Sequence, residues 1–151
     1  MTALATAARL LLGALFVWAS ATKVPDMAAF AESVANYRIA PPALVPATAA
    51  AVVGVELLAG LALLVNRWSR AAATLLALLL AVFTAGLASA LARGIDLACG
   101  CFGDSTPATW WTVGRDVILL ALAAFVAWTS GPRQVRAASR AAPSADPATS
   151  P

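Results

Sequence analysis

The chain is 151 residues long, 62% hydrophobic and only 11% charged, with ten Lys and Arg against seven Asp and Glu, a formal charge of +3, and no histidine. A mean hydropathy of +0.85 is too high for a water-soluble domain of this size, so its solvent is lipid. The basic residues stand scattered at the ends of apolar runs and form no stripe, which excludes nucleic-acid binding as the meaning of the small positive charge.

The first apolar segment, from about Leu4 to Thr22, carries Arg9 near its start, where a long arginine stem can snorkel to the nearer interface or meet a buried partner. Arg9, the run Leu10 to Trp18 and Ala19-Ser20-Ala21 imitate a secretory signal with a small-residue cleavage site. The basic residue comes late for that role, and the segment is expected to be retained as the first helix. The connection that follows, Lys23 to Pro42, sets Met27, Phe30, Val34 and Tyr37 at helical spacing. That pattern predicts an amphipathic helix on the outer surface, lidding the bundle, with an irregular loop closed by Pro41-Pro42 as the alternative.

A second span runs from about Pro46 to Val65 and is interrupted by one carboxylate, Glu56. A carboxylate in the middle of a span is expensive, and the expectation is that it faces the bundle interior with a partner. Counted inward from the outer ends of their helices, Arg9 and Glu56 both lie roughly 15–20 Å deep at helical rise. An Arg9–Glu56 tie is therefore expected ahead of a proton relay, with Lys23 the next candidate partner.

The third span, Ala71 to Ala92, is an uncharged run of about 22 residues, enough to cross roughly 30 Å of hydrocarbon. The fourth is shorter, about 14 residues from Val117 to Ser130. It reaches spanning length by starting near Pro107, with Ser105 or Thr106 as cap, and taking in Trp110, Trp111, Arg115 and Asp116. Trp68, Trp110, Trp111 and Trp128 fall near span ends, as interfacial anchors do. The predicted fold is all-α: a four-helix transmembrane bundle over residues 1–131, with helices at about 4–22, 46–65, 70–92 and 107–130, and a disordered tail over 132–151.

Arg67 and Arg70 share a side with Arg133, Arg136 and Arg140. The other side has Lys23 and Arg38, offset by Asp26 and Glu32, and Arg93 and Arg115. The bias predicts both termini in the cytoplasm and the loop between the third and fourth spans outside it, in a bacterial cell membrane. The tail, rich in Ala, Pro, Ser and Arg, is expected to stay near anionic lipid.

That outer loop contains the chain's only two cysteines, Cys99 and Cys101, in Ala98-Cys99-Gly100-Cys101-Phe102-Gly103. An oxidising compartment lets such thiols cycle. A disulfide between them would close a very small, strained ring, with Gly100 free to turn the side chains together, and strained or exposed disulfides belong to the exchange-active class. A crosslink over so short a loop gains little as a staple. Zinc lacks histidine ligands here, although two thiolates could hold Cu(I), and structural cysteines are the bland alternative. Arg93, Asp96, Asp104, Arg115 and Asp116 surround the pair in sequence. Arg115 and Asp116 either tie down the Cys-Gly-Cys turn with other loop groups or tune the thiols directly.

Taken together, Arg9 with Phe16 and Lys23, Tyr37-Arg38 before Pro41-Pro42, Glu56 and Gly60, Arg93-Gly94, the CGCFG element and Arg115-Asp116 give the chain its likeness. It resembles the methylamine-utilisation MauE family within the DoxX-like small four-helix membrane proteins. The resemblance implies thiol–disulfide exchange outside the cytoplasm with a thioredoxin-like partner, in maturation of a disulfide-rich exported protein such as a methylamine dehydrogenase subunit. Cys99 and Cys101 would carry the exchange, with Arg9, Lys23, Glu56, Arg115 and Asp116 in support. A quinone acceptor near Trp110, Trp111 and Phe102 follows from analogy with other four-helix thiol oxidases alone. The rivals are a non-enzymatic scaffold or chaperone subunit, and a small copper- or solute-handling protein. Gly54, Gly60, Gly86 and Ser89 permit close helix packing, including between copies of the chain.

Overall fold

The computed structural model describes residues 3–37, 40–94 and 108–130. The expectations for Arg38, Asp96, Cys99, Cys101, Phe102, Asp104, the Ser105–Pro107 helix start and the tail lie outside those residues.

Five α-helices are described: α1 (Ala3–Lys23), α2 (Met27–Asn36), α3 (Val45–Leu64), α4 (Ser69–Ala92) and α5 (Trp110–Thr129). No strand occurs among the described residues. α1, α3, α4 and α5 are long and apolar enough to cross a membrane; α5, with 20 residues, spans about 30 Å at helical rise. They pack in a closed ring, α1 on α3, α3 on α4, α4 on α5 and α5 back on α1. Leu12, Leu63, Leu76, Ala123 and Val126, one or more from each helix, are wholly buried between them.

α1 and α3 approach each other closely. A Cβ built on Gly13 would lie 3.0 Å from the Gly60 carbonyl oxygen, and one on Gly60 would lie 3.0 Å from the Gly13 carbonyl oxygen. Only the absence of both side chains lets the two backbones touch, a small-residue contact of the kind that drives helix association in lipid. It also sets the antiparallel register, in which Gly13 is level with Gly60 and, counting outward, Arg9 is level with Leu64.

The first connection is helical, as its periodicity predicts. Asp26 caps α2 by accepting the Ala29 amide at 3.0 Å, the usual way to satisfy an orphan N–H of the first turn. Phe30 and Val34 pack on Val45, Ala49, Val52 and Val53 of α3, with Leu79 and Phe83 of α4 beside them. Tyr37, just past the helix, meets Phe83 edge-on at 5.5 Å between ring centroids. This apolar stripe binds α2 to the bundle.

The fourth span begins later than the sequence indicates. Ala108 and Thr109 are not helical; Thr109 is extended at φ −131°, and its amide donates to Thr112 Oγ1 at 3.3 Å. Thr109 thus caps α5, and the spacing Thr109-x-x-Thr112 supplies the reciprocal hydroxyl that ends the helix there. At the close of α4, Gly94 takes φ +67°, a left-handed position that glycine fills without a Cβ clash, and its amide reaches Leu91 O at 3.0 Å. Trp68, Trp110, Trp111 and Trp128 all stand exposed at helix ends, where indole rings anchor at a lipid–water boundary.

Candidate functional site

Lys23 is the last residue of α1, yet its side chain is 1% exposed and its Nζ lies 2.6 Å from Glu56 Oε2. The register explains the meeting. With Gly13 opposite Gly60, the Cα of Lys23 is level with residue 50 of α3, about 9 Å above Glu56 at helical rise. Helical side chains lean toward their own N-terminus. In antiparallel helices, the Lys23 stem therefore runs down and the Glu56 carboxylate runs up until they touch.

Phe30 of α2 lies over the ammonium, which is 5.2 Å from its ring centroid, a cation–π distance. α2 thus roofs the ion pair, and Lys23 is held by a carboxylate below and an aromatic face above. Both contacts draw on the residue where α1 ends and the surface segment begins.

Asp116, on α5, shares the enclosure. It is 2% exposed and lines, with Lys23, Glu56, Phe16, Phe30 and Phe83, a cavity of about 30 Å³ walled by residues of all five helices. Its countercharge is its neighbour. Arg115 Nε and NH2 both donate to Asp116 Oδ1, at 3.2 and 3.1 Å. Consecutive helical residues diverge by about 100°, so Asp116 turns inward while the Arg115 side chain remains 36% exposed and reaches round to it. Among the described residues, the enclosure therefore contains an ammonium and two carboxylates, one of which is linked to the bundle surface by a guanidinium.

Arg9 is not the partner of Glu56, and the expected tie between them is corrected. Its NH1 donates to the Leu63 carbonyl and, at 3.3 Å, to the Leu64 carbonyl. Those oxygens belong to the last turn of α3, where carbonyls lack helical donors and the helix dipole is negative. Arg9 and Glu56 are eight positions apart in the α1–α3 register, about 12 Å at helical rise, and their side chains lean in opposite directions along the bundle. Counting depth from the helix ends set the two level because it ignored both facts.

Of the residues singled out in the sequence, Lys23, Glu56 and Asp116 thus converge, with Arg115 beside them, while Arg9 caps the far end of α3. Cys99 and Cys101 lie outside the described residues. Trp110 and Trp111 are 63% and 83% exposed, on the outside of the bundle rather than around a pocket. The aromatic roof was visible in part, since Phe30 belongs to the α2 stripe. Phe83 had no signal, because α4 is apolar on every side.

The sequence model of the family described as "Methylamine utilisation protein MauE" matches residues 1–129. "Methylamine utilization protein MauE" of Paracoccus denitrificans is 36% identical over 124 residues, which cover 80% of this chain and 67% of that protein. No solved structure matches.

Proposed function

The chain belongs to the MauE family of membrane proteins linked to methylamine utilisation, and from that premise we propose that it supports thiol–disulfide exchange outside the cytoplasm through Cys99 and Cys101. The observation that carries this reading is the Cys99-Gly100-Cys101 element in a chain with no other cysteine and no histidine. Paired thiols so close in sequence favour exchange over stapling or zinc binding. Connectivity supports it too, since the cysteines are tethered between the end of α4 and the start of α5.

In the exchange, the thiolate of one cysteine attacks a disulfide of a thioredoxin-like partner. The partner's S–S bond breaks and a mixed disulfide forms. The second thiolate then attacks that bond, closing Cys99–Cys101 and releasing the partner as a dithiol. Two electrons pass to the partner; each attacking thiol loses a proton and each leaving thiolate gains one. The reverse sequence oxidises the partner, and the direction follows the two reduction potentials. The lysine and arginine bias supports an outer-face location for the exchange, and a methylamine dehydrogenase subunit is the narrowest substrate this reading admits.

The test is thiol trapping in intact membranes. Cys101→Ser should accumulate a mixed disulfide through Cys99, resolved by reductant on a gel, and the double Cys99→Ser, Cys101→Ser variant should form none and lose maturation of the disulfide-rich exported substrate. Full maturation with the double variant would overturn exchange in favour of a non-enzymatic scaffold.

A further inference from the structure

We propose that the cavity between Lys23, Glu56 and Asp116 is a hydrated proton site, in which bound water joins Asp116 to the Lys23–Glu56 pair and carries a proton between the two carboxylates. This goes beyond thiol exchange and does not depend on it.

Three observations carry it. The cavity measures about 30 Å³, against the roughly 10–15 Å³ that one water needs on this measure, so it accommodates one or two. Its wall provides the several polar partners a buried water requires, in Lys23, Glu56 and Asp116. Lys23 occupies only Oε2 of Glu56, and both Arg115 hydrogen bonds to Asp116 fall on Oδ1, so neither carboxylate is saturated by its cation.

The route has an outer and an inner end. Asp116 is the outer end, tied to the surface through Arg115, whose side chain is 36% exposed. A protonated Asp116 gives its proton to the water, the water gives one to the Glu56 carboxylate, and Lys23 keeps its own. Charge and protons balance: Asp116 ends as carboxylate against Arg115, and Glu56 ends neutral while accepting a hydrogen bond from Lys23. Among the described residues, the charged groups at the site come from α1, α3 and α5; α2 and α4 face it with uncharged residues. Phe30 of α2 closes it from above.

The experiment is infrared difference spectroscopy between acid and alkaline pH on the full chain in lipid nanodiscs. The expected result is a protonated-carboxyl band that shifts in D2O, is absent in Glu56→Gln and in the charge-free pair Lys23→Met, Glu56→Met, and has a midpoint that moves in Asp116→Asn by about one pH unit or more, the mark of coupled sites. The double-cysteine variant should retain that coupling, so that failure of thiol exchange and failure of the proton site are read separately. If Glu56→Gln fails to fold, the charge-free pair assigns the band in its place. A midpoint unmoved by Asp116→Asn, or no titrating band lost with Glu56, overturns the proposal.

Discussion

Lys23→Met removes one half of an ion pair whose side chains are 1% and 9% exposed. The methionine fills much of the lysine volume, but Glu56 is left in a low-dielectric enclosure without its cation. Breaking a buried pair in this way destabilises by about 3–5 kcal/mol, or roughly two to three and a half orders of magnitude in the folding equilibrium. The cavity of about 30 Å³ beside the pair is large enough to admit water, which favours the lower half of that range. Replacing both residues, Lys23→Met with Glu56→Met, removes the orphaned charge; stability should return to within about 1 kcal/mol of the parent or exceed it. The assay is unfolding in mixed micelles by rising dodecyl sulfate, followed through the five tryptophans, with the two single variants and the pair closing a double-mutant cycle. A loss below about 1 kcal/mol for Lys23→Met, the scale of a solvent-exposed pair, would refute the burial of this pair. So would a double variant worse than either single one.

The other predictions probe the frame around that pair. Gly60→Ala should destabilise by about 1–3 kcal/mol, as overpacking does, since its Cβ would meet the backbone at Gly13 O and Val17 N, at 3.0 and 3.1 Å; Gly54→Ala, with nothing within 4 Å, should be neutral or stabilising in the same micelle titration. Arg9→Met should loosen the end of α3, read as faster amide exchange confined to the turn around Leu63 and Leu64, whereas Arg9→Lys retains part of the protection. Phe30→Ala should unroof the enclosure, so that Lys23 reacts with an amine-modifying reagent it excludes in the parent; unchanged reactivity counts against α2 as the cover. Membrane-impermeant maleimide should label reduced Cys99 and Cys101 from the outer face, and labelling only after the membrane is opened would reverse the orientation.

What could be seen in the sequence was set by how each interaction depends on geometry. Span positions were legible to within a few residues because crossing a membrane requires only length and hydropathy, both local properties. α2 was legible because its stripe recurs at helical period, and Asp26 sits where a cap should. The start of α5 was misplaced because Ser105, Thr106 and Thr109 are all competent caps; the choice falls on Thr109 only through Thr112, three residues on. The charge pairing was legible in membership and wrong in assignment. Glu56 had to find a cation in the bundle, and Arg9 and Lys23 were the two on α1. Which one it meets depends on the α1–α3 register, fixed by the Gly13–Gly60 contact, and on the lean of helical side chains toward their N-termini. Both act between elements, and the same constraint sends Arg9 to the α3 carbonyls and Lys23 to the carboxylate. Asp116 entered the enclosure by a similar rule, since a one-residue step on α5 separates an inward acid from an outward base. A sequence pattern gives the neighbours on one helix, and the close glycine contact decides which faces and depths of two helices coincide.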